Sequence, residues 1–312
     1  MLHRAVLIVF AALALAACRT PAGSDFTAES RPLAAEDALR TRLGSAEILS
    51  IHQLRSGERW FGGISGLAFD GHVVTAINDN GHWLRFTMQV DDAGRPTAFD
   101  DLRVVPLGGL DGSKDDGDAE ELAAVPGGWV VSFERRHRLL FYAGELARRP
   151  QRWAAPDEFA RQPGNGGVEA MTRLADGRML LVSEEGGPDD AGWAWLGQPG
   201  AWQRLSYVRT DGFQPTAAAP LPDGGALILE RRFTLIGGLA IRLRRVTAMA
   251  LVPGARLDGT VIFSLEPPLL LDNYEGMAVH ARKDGRLVAY VVSDDNFNPL
   301  QATLLMAVLL PE

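Results

Sequence analysis

The segment Gly166–Gly187 reads GGVEAMTRLADGRMLLVSEEGG. One carboxylate, Glu169, precedes a small and apolar run, and two more, Glu184 and Glu185, close a second run after an Asp176-Gly177 turn. A two-residue Asp-Gly turn folds such runs into a hairpin, so its two outer ends, and their acids, meet. The layout recurs as GGISGLAFDGHVVTAINDNGHW, GDAEELAAVPGGWVVSFERRHRLLFY, FQPTAAAPLPDGGALILERRF and NYEGMAVHARKDGRLVAYVVSDDN. Aligning the copies puts Ser65, Glu120, Glu169, Thr216 and Glu275 at the starts of first strands. Asp79, Glu134, Glu184, Glu230 and Asp294 fall at the ends of second strands.

Carboxylates gathered this closely repel, and each resists ionisation unless a cation offsets its neighbours. Arg135, Arg136, Arg231 and Arg232 directly follow Glu134 and Glu230 and are one source of positive charge. Calcium (Ca2+) is the other: it is a hard ion that takes six to eight oxygens, and Asn78, Asn80, Asn296 and Asn298 add neutral ones. Taken singly, each acid reads as a hairpin cap paired with an arginine; taken together, their convergence reads as a functional site. The metal ligands expected are Glu120, Glu169, Glu184, Glu275 and Asp294.

No nucleophile is announced. Ser65 lies in Gly-Ile-Ser-Gly, which lacks the second glycine of a nucleophile elbow, and neither Ser-x-x-Lys nor His-Glu-x-x-His occurs. His82 and His137 follow acidic hairpin ends but read as turn histidines. Asp111–Asp118 fails the EF-hand pattern because Asp116 stands at the glycine position. It reads as a solvated acidic loop that at most feeds one ligand to the site beside Glu120. The chemistry this leaves is metal-assisted hydrolysis, with Glu169 and Glu275 as catalytic carboxylates and Arg135, Arg231 or Arg232 holding a substrate oxygen.

The elements that must position these groups follow from the repeat. Each copy continues into further strands, such as HWLRFTMQV and GLAIRLRRV, and copies recur at about 45–60 residues, the length of a four-stranded propeller blade. The fold expected is an all-β propeller with five blades counted and room for a sixth. A β-sandwich gives no reason for such a period. The strand Ala46–Arg55 has no blade of its own and the last copy runs out after Leu310, so pairing the two ends would close the ring. In a blade the first strand lines the channel, and all the acids above converge on one mouth.

The N-terminus, MLHRAVLIVFAALALAAC, is an apolar run too short to cross a bilayer, as in a secretory signal. Leu15-Ala16-Ala17 before Cys18 resembles a bacterial lipobox, in which the cysteine thiol carries the lipid. The boundaries expected are a signal peptide at 1–17, a tether at 18–44 with a short helix over Leu33–Leu43, and the propeller at 45–312. That places the protein in the bacterial cell envelope, facing the periplasm, as a monomer bound to a membrane through Cys18. The single cysteine excludes an intrachain disulfide, and the net charge of −8 argues against nucleic acid.

The motifs GGISGLAFDG…INDNGHW, GDAEELAAVPGG, GVEAMTRLADGRMLLVSEE and NYEGMAVHARKDG…VVSDDN resemble the phytase-like proteins with esterase-like activity, relatives of β-propeller phytases. The resemblance covers most of the chain after Gly62 and matches the family's acids at Glu120, Glu169, Glu184, Glu275 and Asp294. It implies six blades and calcium in an acidic channel mouth, acting on phosphate or carboxylate esters. The chain is short for six blades, and Thr216 stands where the other copies carry acids. Two rival functions stay open: a non-catalytic ligand- or protein-binding propeller, and a lactonase-like metal-dependent one.

Overall fold

The computed structural model describes residues 25–31, 46–188, 190–266 and 272–312. Cys18, the signal segment and the helix expected over Leu33–Leu43 lie outside the described residues. The architecture is a five-bladed β-propeller, 55% strand and 4% helical. The sixth blade implied by resemblance is absent among the described residues, which form five sheets.

Blade 1 is β3 (Ile64–Phe69), β4 (Val73–Asn78), β5 (His82–Val90) and β6 (Pro96–Pro106); blade 2 is β7 (Ala119–Val125), β8 (Gly128–Phe133), β9 (Arg138–Ala143) and β10 (Gln151–Trp153). Blade 3 is β11 (Val168–Arg173), β12 (Met179–Ser183), β13 (Ala191–Gly197) and β14 (Gln203–Val208), with β18 (Arg256–Leu257) added in parallel at its outer edge. Blade 4 is β15 (Gln214–Pro220), β16 (Ala226–Thr234), β17 (Gly238–Val246) and β19 (Thr260–Leu265). Blade 5 joins β20 (Asn273–Ala281), β21 (Leu287–Asp294) and β22 (Leu304–Leu309) to β2 (Glu47–Arg55) and β1 (Thr27–Arg31).

The ends close as expected: Ile51 pairs Met306 in an antiparallel β2–β22 ladder. Phe26 then lodges near Phe61 and Phe86, at ring-centroid distances of 5.6 and 5.2 Å, between the last blade and the first. The strand β1, inside the stretch read as a tether, covers β2 and extends the domain beyond residue 45.

Apolar side chains alternate along the strands onto both faces of each blade, and neighbouring blades share cores. One such core holds Leu229, Leu243 and Phe263 of blade 4 with Met277, Val291 and Met306 of blade 5. Asp70-Gly71, Asp176-Gly177, Asp223-Gly224 and Asp284-Gly285 turn the first strand into the second. Gly71, Gly177, Gly224 and Gly285 take φ of +98°, +91°, +86° and +84°, a region glycine enters without strain.

Candidate metal and ligand site at the channel mouth

Every inner strand carries a β-bulge at the same place. The register skips between Ile64 and Gly66, Ala119 and Glu121, Val168 and Ala170, Pro215 and Ala217, and Tyr274 and Gly276. The unpaired residues are therefore Ser65, Glu120, Glu169, Thr216 and Glu275, the five positions aligned from sequence. A bulge re-aims one side chain out of the ladder, and five of them in register turn a ring of side chains towards the channel. The two hydroxyls staple blades together: Ser65 Oγ donates to the Ala119 carbonyl at 2.6 Å and Thr216 Oγ1 to that of Tyr274 at 3.4 Å. The three glutamates make no such staple and are left for other work.

A second ring follows the paired ends of the second strands. Ile64 pairs Asn78, Ala119 pairs Phe133, Val168 pairs Ser183, Pro215 pairs Glu230 and Tyr274 pairs Ser293. The next residues out are Asp79, Glu134, Glu184, Arg231 and Asp294. This corrects the alignment of Glu230 with the mouth acids: the true equivalent is Arg231. One residue of register moves a side chain to the other face of a strand. Glu230 instead points inside blade 4, fully buried against Arg242 Nε and, at 3.3 Å, Arg244 Nε.

Arg231 is thus the cation built into the outer ring. It lies 2.8 Å from Glu275 and 3.5 Å from Glu184, and it also donates to the Asn273 amide oxygen. A second cation comes from the Asp111–Asp118 loop, where a short helix, α1 (Lys114–Gly117), is capped by Ser113. Lys114 reaches Asp79 and Asp118, each at 2.6 Å. The loop also brings Asp118 beside Glu120 and Glu134, with one oxygen of each within 4.8 Å of the others. The loop read from sequence as at most feeding one ligand beside Glu120 does bring one there, Asp118, which was not among the ligands expected.

The remaining arginines lie elsewhere. Arg135 pairs Asp118 at 2.5 Å on the flank of the mouth, and Arg136 pairs Asp111 and Asp116 at 3.1 and 3.2 Å. Arg232 stacks on the Phe213 ring at 4.6 Å and pairs Glu266. Of the three arginines expected to hold substrate, only Arg231 enters the ring. His82 Nδ1 faces the Asn80 carbonyl at 2.9 Å and His137 Nε2 that of Pro163 at 2.7 Å, both as turn residues.

The electrostatics of the mouth follow from burial and crowding. Burial first, then Glu134 and Asp118, push the Glu120 carboxyl well above the usual range. Glu169 is pushed well up by burial and then by Glu184, Glu120 and Glu275. Glu184 is raised by burial while a hydrogen bond with Glu169 pulls it back. Burial raises Glu275 too, opposed by Arg231 and Asn273, and burial with Glu275 pushes Asp294 up to about 9. Among the described residues, Glu120, Glu134, Glu169 and Asp294 pair with no cationic side chain, although Glu134 Oε2 accepts the Gly166 and Gly167 N–H groups at 2.6 and 3.1 Å.

One acid went unread altogether. Glu121, one residue past the bulge, is fully buried, and its carboxylate accepts the Leu122 N–H at 2.9 Å. Burial pushes this carboxyl well above the usual range, and its other oxygen has no hydrogen-bond partner among the described residues. Its ring equivalents are Gly66, Ala170, Ala217 and Gly276, small enough to leave the space; a Cβ on Gly66 would sit 2.8 Å from Glu121 Oε1. Glu121 therefore floors the mouth. Beyond it the inner strands, including Leu67, Leu122, Ala218 and Met277, line a cavity of about 180 Å3 that is largely apolar.

An all-oxygen, carboxylate-rich donor set whose members crowd each other is what a hard divalent cation relieves. Asp118, Glu120 and Glu134 fit calcium on that ground, and Glu169, Glu184, Glu275 and Asp294 adjoin them round the same mouth.

Residues 59–297 match the family described as Phytase-like, esterase-like activity of phytase. A search of curated proteins finds no match. Among solved structures, the chain is similar to the PQQ-bound aldose sugar dehydrogenase of Streptomyces coelicolor at 15% identity, covering 85% of this chain and 98% of that one with a TM-score of 0.43. It is similar to Myxococcus xanthus glutaminyl cyclase at 11% identity, covering 86% and 97% with a TM-score of 0.44. A hypothetical protein from Leishmania major matches at 11% identity over 80% and 85%, with a TM-score of 0.43.

Proposed function

The chain belongs to the phytase-like family with esterase-like activity of phytase, and from that premise we propose that its acidic mouth is a calcium-dependent site for hydrolysing phosphate or carboxylate esters. The observation that carries the proposal is the ring of bulged glutamates: Glu120, Glu169 and Glu275 are turned into the channel with fewer cations than acids around them.

Asp118, Glu120, Glu134 and their neighbours Glu169, Glu184, Glu275 and Asp294 are the residues that would hold the ion. When bound, calcium supplies charge neutralisation, polarisation of an ester oxygen and a more acidic water. The chain's own groups do the rest. Glu169, whose carboxyl burial and neighbouring acids push well up, takes a proton from water and returns it to the leaving oxygen. Glu275, held by Arg231 and Asn273, stays in place beside it and fixes the guanidinium. The Arg231 N–H groups not engaged by Glu275 and Glu184 orient a substrate oxygen. Glu121 closes the channel floor and keeps substrate at the mouth.

The protein acts, on this reading, in the bacterial envelope as a periplasm-facing monomer anchored through a lipid on Cys18. Elemental analysis of the purified full chain tests the metal. Hydrolysis of a phosphate monoester, a carboxylic ester and a lactone, each with and without chelator, tests the chemistry. Calcium near one equivalent and chelator-sensitive turnover of one ester class support the proposal. Bound calcium with no turnover of any of the three supports a ligand-binding propeller instead, and absence of metal overturns the calcium-dependent site.

A further inference from the structure

The ladder between β16 and β17 runs on past Glu230–Arg242 through Arg231–Ile241, Arg232–Ala240 and Phe233–Leu239 to Thr234–Gly238. In blade 1 the corresponding ladder stops at Asn78–His82, the level of Glu230. Four further residues at about 3.3 Å each carry the blade 4 hairpin roughly 13 Å out from the mouth. Its tip is apolar and fully in solvent: Phe233 is 69% exposed, Leu235 95% and Ile236 102%. Blade 5 places a second apolar point on the same face, because the segment between β21 and β22 leaves from the mouth residue Asp294 and contains Phe297 and Leu300, the latter 92% exposed.

The chain also enters from this face. Thr27 pairs Arg55, whose strand end lies beside the start of β22 at the mouth, and the Asp25 carboxylate accepts the Gly57 N–H at 2.7 Å. Seven residue steps lead from Cys18 to Asp25, and even fully extended they span at most about 25 Å. A lipid on Cys18 would therefore hold the bilayer close to the mouth face and not to the opposite one.

We infer that the mouth face docks on a lipid surface, with the Phe233–Ile236 tip and the Phe297–Leu300 loop seated among the headgroups, so that the acidic mouth opens towards the membrane. Two clusters of two or three side chains fall far short of the area a stable protein interface buries. They suit shallow insertion beside a covalent anchor, where the anchor holds the chain at the bilayer and the apolar tips set which face it turns to the headgroups. The hairpin backbone is paired up to Thr234–Gly238, so inserting its tip strands few polar groups. The orientation rests on reading Cys18 as lipid-bearing; the insertion itself does not.

The test uses the mature chain, beginning at position 18, with Cys18→Ser, so that neither the apolar leader nor an acyl chain contributes and a label is unique. Cysteine is introduced by Ile236→Cys, Leu300→Cys or, beyond the opposite end of β17, Met249→Cys, and labelled with a polarity-sensitive NBD dye. Vesicles of phosphatidylethanolamine and phosphatidylcholine are then added. Insertion predicts a blue shift and a several-fold rise in emission at positions 236 and 300 and none at 249. It also predicts that Leu235→Ser with Ile236→Ser lowers vesicle partitioning about tenfold with the melting temperature unchanged. No response at 236, an equal response at 249, or undiminished partitioning of the double variant overturns the inference. A response that grows with protein concentration without vesicles overturns it in favour of a second copy. Failure of the anchor reading shows separately, as an unacylated Cys18 in the mass of the membrane-extracted wild-type chain.

Discussion

Glu230 and Glu184 both lie at the mouth level of a blade's second strand, and both are buried, yet their surroundings differ in kind. Glu230 sits inside blade 4 with two guanidiniums, Arg242 and Arg244, which are themselves anchored to Thr210 and the Val208 carbonyl. Its charge is matched from within one blade and its immediate neighbour. Glu184 sits at the mouth with Glu169, Glu185 and Glu134 around it and a share of Arg231. The interior carboxylate has two cations to itself, whereas the mouth carboxylate shares one cation with other acids, an arrangement that an external cation would complete. The difference between the two sites separates framework from function.

The sharpest way to break the comparison is to remove the framework acid. Glu230→Gln strands two buried guanidiniums, and breaking a buried pair from one side costs about 3–5 kcal/mol. Chemical denaturation should show that loss with or without calcium. A loss under 1 kcal/mol would show that the interior site is no better compensated than the mouth.

Calcium should act next most strongly and only on the mouth. An ion that binds the folded chain at a hundredfold over its Kd adds about 2.7 kcal/mol, a rise of several degrees in melting temperature. Glu120→Gln should abolish most of that rise. An equal calcium shift in Glu120→Gln would move the ion away from Asp118, Glu120 and Glu134.

In chelator, the two candidate catalytic acids should part company. Glu169 faces other acids, so Glu169→Gln relieves repulsion and should raise the melting point, by about 1 kcal/mol of stability. Glu275 is ion-paired with Arg231 at 2.8 Å, so Glu275→Gln should lower it by a similar amount. Shifts of the same sign in both would erase the distinction between paired and unpaired members of the ring.

The remaining test is on pH. Burial and Glu275 raise the Asp294 carboxyl to about 9 in the folded chain, whereas in the unfolded chain it titrates near its ordinary value of 3.8. Between those limits the folded state keeps a proton that the unfolded state has lost, so stability falls as pH rises and levels off above about 9. Melts in chelator at pH 5 and pH 8 should therefore favour pH 5, and Asp294→Asn should flatten the difference. A chelated protein more stable at pH 8 would mean that Asp294 is ionised and paired when folded.

The ring of Ser65, Glu120, Glu169, Thr216 and Glu275 was legible in the sequence because the repeat itself aligns it. What the repeat could not show was that each lies on a bulge, since a bulge changes pairing without changing composition. Glu230 was misplaced for a related reason. Blade 4 reads Leu-Glu-Arg-Arg where blade 3 reads Ser-Glu-Glu, and matching acid to acid slips the register by one. The alternation of buried and channel-facing positions, with Leu229 and Glu230 both inside, corrects it only once the partner strand is known. Glu121 was hidden beside Glu120, although small residues at Gly66, Ala170, Ala217 and Gly276 mark the space it fills. The folding of Asp118 and Lys114 onto the mouth depends on a non-repeated loop, and no periodicity reaches it.

The pairing of Ile51 with Met306 has a consequence in time. These residues are roughly 250 positions apart, so the ladder that completes blade 5 carries nearly the longest loop-closure cost the chain can have. The four main strands of each of blades 1 to 4 follow one another in sequence, but blade 5 must wait until its last strand exists to meet β2, made almost at the start. Until then β22 and β2 both present open edges. The seam between them should be the last part to gain protection from hydrogen exchange during refolding and the first to lose it when the ring opens.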